Sequence, residues 1–177
     1  YVFSRKKKKK ELNDIFGKYI NSINFYPIDL ANISEVKNMI KYLLKLNEDI
    51  ELFIWNAGIS YNQAKNNNKN IIINVNFLAH TILTMSLVEN FPNARYVFIS
   101  SISSNLFNYD MLKLNISKII NKNKVNKSDY GLSKYLLNIF CKYLAEKHSI
   151  DCVSIEPGFV LSTNMNNNRS KYIIKFN

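Results

Sequence analysis

Glycine is scarce. The chain has four, Gly17, Gly58, Gly131 and Gly158, and no two are spaced as in a glycine-rich phosphate loop. Cysteine is scarcer: Cys141 and Cys152 form no Cys-x-x-Cys pair and have no histidine beside them. A disulfide framework or a zinc site is therefore not expected, and no metal ligand set is read from the chain. Two unpaired thiols suit a reducing compartment, with the cytoplasm as the default. Acidic residues are few, 13 against 24 Lys and Arg, which leaves a net charge of +11. Such a balance can serve a polyanion. However, the chain also holds 28 Asn beside 21 Lys, with runs such as Asn66–Asn68. Both residues have A-rich codons, so a base-composition bias inflates Lys without any demand from a ligand. No specific nucleic-acid partner is expected, only weak salt-sensitive binding. No stretch approaches the roughly 18 apolar residues of a membrane span. The chain opens on Tyr1 and not Met, so a targeting segment or anchor upstream would leave no trace in it.

What is present is a globular balance, 47% hydrophobic and 21% charged, enough for a useful core. Strand and helix patterns alternate, which predicts a parallel α/β sheet. Val2–Ser4 reads as the tail of a strand, 9–21 as a helix and 24–29 as a strand. Asn32 then caps a helix with Glu35 at the capping-box position. Val36, Met39, Ile40, Leu43 and Leu44 follow as one amphipathic stripe. Leu52–Trp55 is a buried strand. A helix is expected over roughly 70–90, with Val75, Ala79, Ile82 and Ser86 facing inward. Tyr96–Ile99 is the next strand, and a polar excursion runs over 103–127. A helix over 128–147 places Leu137, Cys141 and Leu144 in line with Lys134. Cys152–Glu156 is the last clear strand, stopped by Pro157-Gly158, and 172–176 reads as a further strand. No repeat and no domain boundary interrupts the pattern, so a single domain over 1–177 is expected.

Ligands of parallel sheets bind at the carboxyl ends of the strands. Those ends carry, in order, Arg5, Asp29, Asn56-Ala57-Gly58, Ser100-Ser101 and Pro157-Gly158. The fixed order constrains the reading more than any one motif does.

The chain resembles the short-chain dehydrogenase/reductase family over nearly its whole length. The matching residues are Asp29-Leu30, Asn56-Ala57-Gly58, Asn76, Ser100-Ser101, Tyr130-x-x-x-Lys134 and Pro157-Gly158-x-Val160. The segments NVNFLAHTILT and YGLSKYLLNIF are most similar to retinol-dehydrogenase-like members, with 3-keto-steroid reductases next. The family pattern has Asn where this chain has Trp55.

Tyr-x-x-x-Lys is weak evidence by itself. With 11 Tyr and 21 Lys, about 1.3 chance occurrences are expected. The pattern occurs at Tyr61/Lys65, Tyr109/Lys113, Tyr130/Lys134 and Tyr143/Lys147. Only Tyr130 opens an amphipathic helix leading into the strand before Pro157-Gly158. Residues i and i+4 share a helix face. A phenol titrates near ~10 and needs a drop of roughly 3 units, or about 4 kcal/mol, to exchange protons near neutrality. A cation at about 4 Å supplies roughly that at an effective dielectric of ~20. Lys134 is therefore expected to lower the Tyr130 pKa.

The resemblance implies further roles. Ser101 would hydrogen-bond the substrate oxygen, with Ser100 as the alternative. Asn76 would hold a relay water beside Lys134. Asn56, Ala57, Gly58, Asp29, Leu30, Pro157, Gly158, Val160 and Ser162 would line the cofactor, and Lys134 would hold its ribose. Arg5, where an acid would favour NAD(H), suits the 2′-phosphate of NADP(H). The implied protein is a Rossmann-type doubly wound parallel sheet lacking its first strand and glycine-rich loop. It would interconvert a small, apolar carbonyl and its alcohol, and copies would associate through the 128–147 helix. The alternative is a catalytically inactive nucleotide-sensing or scaffold form. Without the first strand, the helix faces bearing Val75 and Ile82 are expected to lie uncovered.

Overall fold

The computed structural model describes residues 1–5, 14, 16–64, 71–108, 110 and 125–158. The expected strand over 172–176 and the middle of the polar excursion fall outside them. The chain divides into two compact units, Tyr1–Asn47 and Glu48–Asn177.

In the first unit, β1 (Val2–Ser4) pairs in parallel with β2 (Phe25–Pro27). The bonds from Val2 N–H to Asn24 and from Ile28 N–H to Ser4 extend the ladder, at 2.9 and 3.0 Å. Between them, Gly17–Ser22 is a 3₁₀ turn and not the end of an α-helix. Gly17 has φ +50°, and one left-handed residue breaks a right-handed helix. Helix α1 (Ile33–Lys45) starts as expected. Asn32 Oδ1 accepts from Ser34 N–H at 3.0 Å, whereas Glu35 takes the Asp29 N–H at 2.7 Å in place of the main chain of Asn32. Val36, Met39 and Leu43 are buried, but Leu44 is exposed, so the apolar stripe is narrower than expected.

In the second unit, β3 (Leu52–Trp55), β4 (Arg95–Ile99) and β5 (Cys152–Ile155) form a parallel sheet in that order. Phe53 pairs with Tyr96, and Tyr96 with Cys152. Period-2 alternation therefore puts Phe53, Trp55, Tyr96 and Phe98 on one face. Phe53 stacks on Tyr96 at 5.0 Å, and Phe98 meets Phe140 edge-on at 5.8 Å. β1 and β3 belong to separate sheets.

A short α2 (Tyr61–Ala64) precedes a compound helix. It comprises α3 (Ile71–Ile73), a π turn (Asn74–Leu78) and α4 (Ala79–Leu87). The π turn adds a residue to one turn and rotates the remainder of the helix. The buried face then runs through Ala79, His80, Leu83, Thr84 and Leu87. Ser86, expected inward, is exposed, and Ile82 is only half-buried. Val75, expected to be uncovered, is buried. The sheet itself leaves apolar side chains open: Leu52, Ile54, Val153 and Ile155 are each at least 40% exposed.

A 3₁₀ turn (Ile102–Leu106) follows β4, and α5 (Asp129–His148) leads to β5. Leu137, Cys141 and Leu144 are buried along α5 with Lys134, as expected. Ser149, at φ 55°, ends the helix. Among the described residues, no helix is long and apolar enough to cross a membrane, and no group of His, Cys, Asp and Glu is arranged to hold a metal ion.

Candidate active site

Four of the expected residues meet at the carboxyl ends of the second sheet. Ser101 follows β4 with extended backbone and caps the 102–106 turn, its hydroxyl accepting from Ser103 N–H at 3.3 Å. Tyr130 lies in the first turn of α5, its phenol near enough to the Ser101 side chain for the serine to favour the ionised form. Ser100 is placed differently: it is buried and donates to the Lys134 carbonyl at 3.4 Å. The geometry thus separates the two serines, one tied to α5 and the other capping the turn beside Tyr130.

Lys134 lies one turn further on and is buried. Its Nζ donates to the Ile99 carbonyl at 2.6 Å and stands 5.9 Å from the Tyr130 ring centre. Burial lowers its pKa to about 8, because a low-dielectric surrounding disfavours the ammonium. Tyr130 departs from expectation. Burial raises its pKa, and the Ser101 side chain only opposes that rise. The expected depression fails because desolvation outweighs the stabilisation of a phenolate, while the ammonium is turned toward Ile99. At neutral pH the phenol therefore holds its proton.

Asn76 sits inside the π turn and is fully buried. Its Oδ1 accepts from Ile59 N–H at 2.8 Å, and its Nδ2 donates to the Ile59 carbonyl at 3.0 Å and to Ser133 Oγ at 3.1 Å. Both amide hydrogens are bonded within the protein, and the side chain clamps the loop after Gly58. A Cβ on Gly58 would meet Asn76 Oδ1 at 3.4 Å and Lys134 Nζ at 3.5 Å, ordinary contacts that place Gly58 directly against both side chains. Asn56 and Ala57, just before it, are exposed.

The remaining expected residues are more loosely held. Gly158 has φ +74° with open space at its Cβ position, and Pro157 is exposed. Val160 and Ser162 lie outside the described residues. In the first unit, Arg5 is exposed just past β1. Asp29 Oδ1 accepts from Ala31 N–H at 3.0 Å, a local turn contact, and Leu30 is half-buried in that turn.

Sequence reasoning missed several participants. His80, one turn after Asn76, is buried and stacks on Trp55 at 5.9 Å. Neither ring nitrogen has a hydrogen-bond partner, and neither does Trp55 Nε1. Burial, then the Lys134 charge, push the imidazole down to about 3, while the Asn76 main chain opposes this without reaching hydrogen-bond geometry. The i, i+4 relation to Asn76 was legible. The parts played by the Ile59 and Ile99 carbonyls were not, because main-chain groups carry no residue-type signal.

Parallel β-α alternation defines a Rossmann-like α/β protein, and Ser101, Tyr130 and Lys134 gather at its strand ends. The chain belongs to the NAD dependent epimerase/dehydratase family, whose model matches residues 1–176. Solved structures agree on the fold. A short-chain dehydrogenase/reductase from Saccharomyces cerevisiae is similar with TM-score 0.62 at 20% identity, over 92% of this chain and 60% of that one. An alcohol dehydrogenase from the archaeon Thermococcus sibiricus, complexed with 5-hydroxy-NADP, gives 0.66 at 14%, over 93% and 67%. A gluconate 5-dehydrogenase from Burkholderia cenocepacia, in complex with NADP and tartrate, gives 0.64 at 13%, over 94% and 63%. The chain thus spans about three fifths to two thirds of these proteins' own length. No curated protein matches it.

Proposed function

We propose that the protein is an NADP(H)-dependent oxidoreductase that interconverts a small, apolar carbonyl compound and its alcohol, with Tyr130 as the general acid/base. The observation that carries this reading is the grouping of Ser101, Tyr130 and Lys134 at the strand ends, with Lys134 buried one turn behind Tyr130 and its Nζ 5.9 Å from the phenol ring centre. When bound, NADP(H) supplies or accepts the hydride. Ser101 holds the substrate oxygen beside the phenol. Tyr130, kept protonated by burial, gives its proton to that oxygen in the reductive direction. Lys134 has three donors and one is on Ile99. The other two suit ribose hydroxyls.

The residues present suit the cofactor in other respects. Asn56 and Ala57 are open to solvent at the end of β3, and Gly58 lets the main chain come close. Arg5, open after β1, suits a 2′-phosphate, with Asp29 and Leu30 at the end of β2 for the adenine. Pro157, Gly158, Val160 and Ser162 follow β5 in the order the nicotinamide end requires. Because the family match runs over 1–176, both units belong to one nucleotide-binding domain in this reading. The retinol-dehydrogenase-like and 3-keto-steroid-reductase-like resemblance guides the choice of substrates.

A second reading, a catalytically inactive nucleotide-sensing or scaffold form, is favoured by the raised Tyr130 pKa and by Lys134 facing Ile99. Tyr130→Phe separates the two. It removes only a hydroxyl, so NADPH affinity should hold while turnover of apolar ketones falls by about 10²–10⁴-fold. Near-full turnover in the variant excludes Tyr130 as the acid. NADPH binding with no turnover in the unmodified protein supports the inactive form.

A further inference from the structure

We propose that Gly131 and Asn138 are positioning residues: together they seat the 102–106 turn on helix α5 and thereby set the distance between the Ser101 and Tyr130 hydroxyls. The inference rests on the Ser101–Tyr130 pair proposed above and adds the device that holds it.

Gly131 follows Tyr130 directly and is buried inside α5. Glycine in a helix interior costs about 1 kcal/mol relative to alanine, so its place here needs a reason. Packing supplies one. A Cβ on Gly131 would lie 2.6 Å from the Ser103 carbonyl oxygen and 2.9 Å from Phe107 Cε2. The Phe107 ring can swing aside, but the Ser103 oxygen is main chain. Restoring an ordinary carbon–oxygen contact of ~3.3 Å requires the turn and helix to part by roughly 0.7 Å. Ser103 is two residues from Ser101, and its N–H is bonded to the Ser101 hydroxyl. A displacement of that size moves Ser101 away from the phenol by a substantial part of a hydrogen-bond length of ~2.8 Å.

Asn138 holds the other end of the same turn. Its Nδ2 donates to Ser104 Oγ at 3.1 Å, and Ser104 in turn donates to Glu156 Oε1 at 3.1 Å. Its Oδ1 accepts from Ser154 Oγ at 2.5 Å. Ser104 is buried. Helix, turn and β5 are thus tied by one polar chain, anchored two turns along α5 from Tyr130. The glycine fixes how close the turn comes, and the asparagine fixes where along the helix it sits.

The test follows the Tyr130 titration by NMR of ring-labelled tyrosine in the full chain. Four proteins are needed: unmodified, Ser101→Ala, Gly131→Ala and the double variant. Ser101→Ala should raise the Tyr130 pKa, because the Ser101 side chain lowers it. Gly131→Ala should raise it by the same amount, and adding it to Ser101→Ala should change nothing more. Asn138→Ala should produce part of that rise, and none on the Ser101→Ala background. Because it introduces no clash, it decides the matter if Gly131→Ala does not fold. A Tyr130 titration unmoved by Gly131→Ala or Asn138→Ala overturns the inference while leaving the pair intact. So does a further rise on the Ser101→Ala background. A titration unmoved by Ser101→Ala overturns the pair itself.

Discussion

The two units carry their candidate functional residues in opposite ways. In the first, Arg5 stands in solvent after β1, and the Asp29 carboxylate accepts from Ala31 in its own turn. In the second, Asn76 and Lys134 are buried and bonded to groups 17 to 57 residues distant. A residue on an open strand end can be exchanged with little cost to the fold, so its worth must show in ligand binding. A residue that knits helix, loop and strand together contributes to folding and to the site at once. Mutational effects should therefore divide along this line, and the division can be tested from its largest effect downward.

Asn76→Ala should be the most costly. It strands the Ile59 N–H and carbonyl inside the second unit, a loss on the order of 3 kcal/mol at about 1–3 kcal/mol per buried group, while the Ser133 hydroxyl keeps its bond to the Tyr130 carbonyl. Urea unfolding measures it, and a loss no greater than that of an exposed substitution would dissolve the contrast. Arg5→Ala should leave the unfolding curve unmoved. Its effect belongs to NADP(H) binding, weakened by roughly 1.5–3 kcal/mol, with NAD(H) nearly unaffected. Titration calorimetry with both cofactors checks it, and equal loss for both would remove Arg5 from the 2′-phosphate.

His80 sharpens the comparison through pH. Its folded pKa, about 3, lies below the ordinary 6.5. The unfolded chain therefore binds the extra proton between those values, so this contribution to stability is complete above pH 6.5 and is lost as pH falls toward 3. The slope is roughly 1.4 kcal/mol per pH unit, and His80→Leu should flatten it in unfolding curves at stepped pH. An unchanged slope would mean that the imidazole is not the buried neutral group described. The smallest effect is expected at Arg95→Ala. The Arg95–Asp151 pair belongs to the second unit, but it is more than half exposed on both sides, at 2.9 Å. Such pairs contribute about 0–1 kcal/mol. A larger loss would show that burial, and not membership of the unit, is the wrong criterion.

Local pattern was enough for much of this protein. Asn32 as a cap, the Val36–Met39–Leu43 stripe and the Leu137–Cys141–Leu144 line along α5 all follow from periods of 3.6 residues and from side chains that reach their own backbone. The choice of Tyr130 among four Tyr-x-x-x-Lys pairs followed from strand order. Tertiary structure decided the rest. The π turn at Asn74–Leu78 turned the inner face of its helix away from Ser86, because one extra residue rotates every later side chain. Asn76 became a clamp because Ile59 and Ser133 happen to converge on it. The Tyr130 pKa moved up and not down, because a helical spacing places Lys134 on the right face but does not determine how deeply both groups are withdrawn from water. Charge in proteins is governed by that depth, and depth is a sum over contacts from distant parts of the chain.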